Sequence, residues 1–118
     1  MADGERLICA SAALQEGGLG VRFEVEVFGD AVPAFVVRHE GRVHGYLNRC
    51  AHVAMELDWR EAEFFDLEGR DLICSTHGAV YAAESGRCLG GPCAGKPLVR
   101  LQVEERDGRV YYLGVHDG

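Results

Sequence analysis

The chain lacks any long apolar run. Nothing in it approaches the roughly 18–20 consecutive apolar residues that a membrane-spanning helix needs, so a helical span is not expected. Its first residues carry Asp3 and Glu5 where a secretory leader carries positive charge, and no apolar stretch follows. No leader is therefore expected, and the cytoplasm is the expected compartment. Positive charge is scarce as well: 12 Lys and Arg against 19 Asp and Glu leave a formal net charge of −7. Nucleic-acid phosphates and anionic membranes repel such a surface, whereas a partner with a positive docking patch attracts it. Cysteine is limited to five residues, an odd number that suits a reducing compartment better than a disulfide framework. Repeats, low-complexity tracts and interdomain linkers are absent too, so the 118 residues read as one domain, 1–118.

What is present is turn-rich β sequence. Val21–Val27 alternates apolar and charged residues, the period of a half-buried strand. Gly29-Asp30 breaks it. Ala34–Val37 reads as a more deeply buried strand, Glu40-Gly41 as a turn, and Val43–Leu47 as the hairpin partner. Leu72-Ile73 leads into one loop, and Val80–Ala83 leaves it before the turn at Glu84–Arg87. Leu98–Val103 and Val110–Leu113 form a last hairpin around Asp107-Gly108, a dipeptide that favours a type I′ turn. Asp58–Phe65 is the one candidate for a short helix. Sixteen glycines, mostly at the breaks, agree with many short strands.

Two short patterns carry the chemistry: Cys50-Ala51-His52 and, after 21 further residues, Cys74-Ser75-Thr76-His77. Each offers one thiolate and one imidazole from a place where a strand gives way to a loop, and loops held by a rigid sheet commonly carry function. Two thiolates on one iron and two imidazoles on the other is the ligand set of a Rieske-type [2Fe–2S] cluster. A single structural zinc ion is the alternative for two Cys and two His. Zinc patterns more often group like ligands, as C-x₂₋₄-C and H-x₃₋₅-H, and here each loop is mixed. Gly78 follows His77, where a glycine permits close backbone approach.

On these residues the chain resembles the Rieske ferredoxins. The family pattern is C-x-H, then C-x-x-H-G with an aromatic four residues beyond that histidine. Here the second part is Cys74-Ser75-Thr76-His77-Gly78-Ala79-Val80-Tyr81. Gly86–Cys93 is similar to the family's third, proline-containing loop, and Leu98–Leu113 to its closing hairpin. The resemblance implies an all-β fold, a Rieske-like antiparallel sandwich or barrel with a cluster-binding subdomain at one tip. Its cluster loops fall at about 48–56, 74–81 and 88–95. It implies one [2Fe–2S] cluster, with Cys50 and Cys74 on the inner iron and His52 and His77 on the outer. It further implies a one-electron carrier between a flavin-dependent reductase and a terminal oxygenase or related enzyme, with no catalytic residues of its own. The relatives in respiratory and photosynthetic cytochrome complexes join their cluster loops by a disulfide. The matching positions here are Met55 and Thr76, which points to the soluble, oxygenase-associated branch. High-potential relatives carry a serine where this chain has Ala79, so a potential in the lower half of the family range is expected. Tyr81 is either a hydrogen-bond donor to the cluster or a packed ring. A small Rieske-like subunit of a larger reductase, such as nitrite reductase, and a zinc-stabilised interaction module are the alternative readings.

Other residues receive plainer readings. Cys88 and Cys93 could form a disulfide or a second metal site, but without nearby histidines they are taken as buried small hydrophobes lining the third loop, and Cys9 as core packing. His39 and His44 flank a hairpin and are expected in solvent, and His116 in a frayed tail. Trp59, Phe64 and Phe65 are read as aromatic plugs. Asp58, Glu61, Glu63, Asp66 and Glu68 form an acidic cluster, a solvated face or a docking face.

Overall fold

The computed structural model describes residues 6–27, 29–48, 63–65, 69–74, 79–91 and 97–115. Among them the chain forms nine strands and one short 3₁₀ turn at Ser11–Ala13. Strands β1 (Arg6–Ala10), β2 (Val21–Val27), β3 (Asp30–His39), β4 (Arg42–Leu47), β8 (Arg100–Arg106) and β9 (Arg109–Val115) make a six-stranded antiparallel sheet in the order β1-β9-β8-β4-β3-β2. Strands β5 (Asp71–Ile73), β6 (Val80–Ala82) and β7 (Cys88–Gly90) make a second, three-stranded antiparallel sheet. The outer strands of the large sheet approach each other, and the Arg6 guanidinium donates to the Glu24 carbonyl across the gap. The large sheet thus curls into a nearly closed barrel, and the all-β architecture expected from the sequence is the observed one.

Side-chain period explains the layers. Along β3, Val32, Ala34 and Val36 point into the barrel, where Val32 and Ala34 meet Val25, Leu47 and Leu101, and Val36 meets Leu14 and Val110. Phe35 and Val37 point the other way, onto the small sheet. That is why Ala34–Val37 is an unbroken apolar run: the strand is buried on both faces. The core between the sheets joins Phe35, Val37 and Tyr46 to Leu72, Cys74, Tyr81 and Ala83, with Phe64 stacked on Phe35 at 3.9 Å between ring centroids. The aromatic-plug reading of Phe64 therefore holds.

The turns follow local chemistry. Glu40-Gly41 and Asp107-Gly108 both have positive φ at two successive residues, 50° and 78° in the first and 51° and 74° in the second. That is the twist a two-residue hairpin needs. Glu16 supports the first turn, accepting hydrogen bonds from the Glu40 and Gly41 backbone N–H groups. Those bonds hold its carboxyl below the usual range. Two expectations need correction. Glu63–Phe65, the described end of the candidate helix, is not helical; Phe65 instead makes an antiparallel bridge to Leu72. And Cys88–Gly90, read as loop, is edge strand β7, paired to β6 through Tyr81↔Cys88 and Val80↔Gly90.

Candidate metal centre

Strand β5 ends at Ile73, and Cys74 is the next residue. The Cys74 backbone N–H donates to the Ala79 carbonyl at 2.8 Å, and the Ile73 N–H to the Phe64 carbonyl at 2.9 Å. With Ile73 facing Val80 across the ladder, Cys74 and Ala79 are pinned to each other where the chain leaves β5 and enters β6. Cys74 is fully buried, in one cluster with Leu72, Ala79 and Tyr81. A neutral thiol in that place is a small hydrophobe. A thiolate there needs a metal or another cation to offset its lost hydration. The arrangement therefore fits a cluster ligand: a sulfur fixed at a strand end, with an imidazole donor three positions on in sequence.

Cys50, His52 and His77 lie outside the described residues, so Cys74 is the one expected ligand whose surroundings can be given. The departure point of the first ligand loop can be given as well. Asn48 is buried, and its backbone N–H donates to the Pro33 carbonyl at 2.8 Å; the Leu47 N–H donates to the Val99 carbonyl at 3.0 Å. The chain is thus anchored to both β3 and the entry of β8 two residues before Cys50. The sequence reading passed over Asn48. Its one signal was a polar residue directly after an apolar strand, which is also the signal of an ordinary strand end.

Ala79 and Tyr81, to which the sequence assigned a tuning role, lie in one buried cluster with Cys74. Ala79 is buried and has no side-chain donor. Tyr81 is fully buried, between Leu72 on β5 and Cys88 on β7. Tyr46 reaches across from the large sheet. Its hydroxyl donates to the Ala83 carbonyl at 2.6 Å, and burial pushes its pKa above the usual tyrosine value. Gly86 sits under that ring: a Cβ there would lie 2.7 Å from Tyr46 Cε1, and the residue has φ of +77°. Its N–H donates to Ala82 and its carbonyl accepts from Leu98, so one glycine ties the β6–β7 turn to the strand entering β8.

The cysteine and histidine readings change in part. Cys88 is not a packing thiol; it is one half of a disulfide whose other half lies outside the described residues. The disulfide alternative for Cys88 is therefore the one observed, in place of the packing reading. Cys9 and Cys74 are in no disulfide. Cys9 packs against the Leu14, Val36 and Val110 cluster as expected, and burial pushes its thiol pKa up. His39 and His44 are not in open solvent. Both are half-buried on the face of the large sheet that looks toward the small one. Burial lowers the His44 pKa, helped by the neighbouring His39. Of the acidic cluster, Glu63 is exposed; Asp58, Glu61, Asp66 and Glu68, like Trp59, Cys93 and His116, lie outside the described residues.

Known proteins supply the comparison. The Rieske [2Fe-2S] domain profile matches residues 5–107. No curated protein matches the chain. Among solved structures, a chain in the complex of reduced oxygenase and oxidized ferredoxin in carbazole 1,9a-dioxygenase is 24% identical with a TM-score of 0.75, over 97% of this chain and 96% of that one. The ferredoxin of carbazole 1,9a-dioxygenase from Nocardioides aromaticivorans IC177 is 21% identical with a TM-score of 0.70, over 93% of this chain and 97% of that one. A longer chain in the reduced complex between oxygenase and ferredoxin in carbazole 1,9a-dioxygenase gives 20% identity and a TM-score of 0.64, over 97% of this chain but 29% of that one. At these identities the likeness is one of fold. Among the described residues no helix is long and apolar enough to cross a membrane.

Proposed function

The chain belongs to the Rieske [2Fe-2S] domain family, and on that premise we propose that it is a one-electron carrier, taking electrons from a flavin-dependent reductase and delivering them to a terminal oxygenase. When bound, the [2Fe–2S] cluster supplies a one-electron redox centre. We assign Cys50 and Cys74 to one iron and His52 and His77 to the other, within loops at about 48–56, 74–81 and 88–95 of a single domain spanning 1–118. The observation that carries the reading is the buried, backbone-pinned Cys74 at the start of C-x-x-H-G, inside a segment that matches the family profile. The end-to-end likeness to chains of ferredoxin size supports a carrier over a domain of a larger oxygenase.

The described residues around Cys74 have a part in that role. The Cys74 N–H and the Ala79 carbonyl tie together the two ends of the segment that carries C-x-x-H-G. Leu72, Phe64 and Tyr81 exclude water from the inner side of the loop. That low-dielectric floor penalises added negative charge. Ala79 offers no hydrogen bond to offset it. The midpoint potential is therefore expected below about +150 mV, within a family span of about −150 to +300 mV, as read by protein-film voltammetry. We assign no catalytic residue to the chain and place it in the cytoplasm, although the Cys88 disulfide removes cysteine usage as support for that compartment.

Reconstitution tests the function. Iron-loaded protein should be red-brown and should restore electron flow from a flavin reductase to a Rieske oxygenase. Cys74→Ala should abolish both colour and transfer. A colourless protein whose one zinc ion is lost in Cys74→Ala, or a coloured one that no reductase reduces, would overturn the reading.

A further inference from the structure

A second set of metal-binding groups lies at the opposite end of the small sheet from Cys74. His39 closes β3, Glu40 opens the hairpin turn after it, and Glu84 sits in the turn between β6 and β7. His39 Nε2 is 3.5 Å from Glu40 Oε1 and 3.3 Å from Glu84 Oε2. The three ligand atoms all lie within 4.8 Å of one another. Metal–ligand bonds of about 2.05 Å in a tetrahedron place neighbouring ligand atoms about 3.3 Å apart. The imidazole-to-carboxylate distances already match that edge.

We propose that His39, Glu40 and Glu84 form a divalent metal site, with zinc the ion best suited to one nitrogen and two carboxylate oxygens, and with water in the fourth position. Binding needs the Nε2 lone pair, so the His39 proton moves to Nδ1. His39 Nδ1 is buried without a hydrogen-bond partner. Metal-bound histidines whose second nitrogen lacks such support bind roughly 10–100-fold more weakly, so the site titrates with micromolar zinc, not nanomolar.

The surroundings suit a cation. Glu16, hydrogen-bonded to the same turn, has its carboxyl pKa lowered by those bonds and adds negative charge. His44, its ring 6.4 Å from that of His39, has its pKa lowered by burial and by His39, with Arg100 and Arg42 the cations that act on it. The Arg38 guanidinium is engaged with Glu105. His39 is the fixed member: 14% of its side chain is exposed, and its ring lies 6.3 Å from that of Phe65. Glu40 and Glu84 are 78% and 60% exposed and free to close on an ion.

The site has a structural consequence. Glu84 belongs to the small sheet and His39 to the large one. An ion held by both clamps the two sheets at the end of β6 away from Ala79 and Cys74, one strand length or about 10 Å distant. It joins Tyr46, whose hydroxyl spans the same seam to Ala83.

The test uses iron-loaded protein, so that the visible absorbance reports the cluster while calorimetry reads added zinc. One zinc per chain should bind with the iron spectrum unchanged, and the melting temperature should rise. Glu84→Gln, at an exposed position that folding tolerates, should weaken binding at least tenfold and abolish the rise; His39→Gln should do the same. Glu104→Gln, an exposed acid elsewhere, should leave zinc binding intact. Zinc binding of equal strength in Glu84→Gln and native protein would overturn the proposal. So would zinc uptake that proceeds only with loss of the iron spectrum.

Discussion

The two sheets of this molecule are built by different means. The large sheet is made of long strands whose alternation, turns and register follow from neighbouring residues. β2 pairs with β3 over seven consecutive positions, Val21↔Val36 to Val27↔Asp30, with no slip. The small sheet has strands of three residues each. Isolated strands of that length are unstable in water. They persist because Leu72, Cys74, Ala79, Tyr81 and Ala83 pack on Phe35, Val37 and Tyr46, and because their loops are pinned. One sheet is specified locally and the other by what it leans on. The sheet that bears the ligand loop is the dependent one.

The strongest way to break this contrast is to remove the ligand. Cys74→Ala is expected to eliminate the cluster entirely, because a methyl group offers iron no ligand. If the small sheet depends on the ligand loop, its amides should then exchange hydrogen quickly while β2, β3, β4 and β9 stay protected. Hydrogen-exchange mass spectrometry separates the two sheets directly. Equal loss of protection across both would show a single cooperative unit instead.

A packing change comes next. Phe64 lies face to face with Phe35, 3.9 Å between centroids and 11° from parallel, and bridges the sheets. Phe64→Ala should cost about 3–5 kcal/mol, read as a lower midpoint in urea unfolding. Gly86→Ala should cost about 2–3 kcal/mol, since a methyl meets the Tyr46 ring at 2.7 Å and the backbone stays left-handed at +77°. Both changes should loosen the small sheet more than the large. A Gly86→Ala protein as stable as the native one would mean that Tyr46 can move aside and that the seam is softer than its geometry implies.

The same contrast explains what the sequence made legible. The strands β2, β3, β4, β8 and β9 and both tight hairpins followed from alternation and from Glu-Gly and Asp-Gly turns, signals that act within a few residues. Of the candidate site, Cys74 was singled out because chemistry constrains the spacing of thiolate and imidazole, and its burial at a strand end fits that reading. β7 was missed because Cys88-Leu89-Gly90 has no strand pattern of its own; pairing with Val80 and Tyr81 makes it a strand. The burial of His39 and His44 was missed because it comes from the small sheet folding over them. Nothing near position 39 announces Glu84, which is 45 positions away. The disulfide of Cys88 was open in the sequence but set aside for packing, because cysteine spacing alone does not set a pairing.

The smallest expected effect sharpens the contrast from the stable side. Arg38 laces the large sheet to its surroundings: its guanidinium donates to Glu105 Oε1 at 3.1 Å and Oε2 at 2.7 Å, and to the carbonyls of Leu14 and Ser11, each at 3.2 Å. That paired hydrogen bond holds the Glu105 carboxyl below the usual glutamate range. The folded-state pKa lies under the unfolded one, so on acidification the unfolded chain takes up the proton first. The stabilisation is therefore present in full above the ordinary glutamate pKa and fades as the pH falls through the lower, folded value. Because both groups are partly exposed, Glu105→Gln should cost only about 0.5–1 kcal/mol at neutral pH. Its urea midpoint should converge on that of the native protein in acid. The exchange pattern of the small sheet should not change, because Arg38 and Glu105 both belong to the large one. Convergence without a small-sheet effect would confirm that the two sheets draw on separate sources of stability. A Glu105→Gln protein that sheds its cluster would instead tie the ligand loop to the far edge of the barrel.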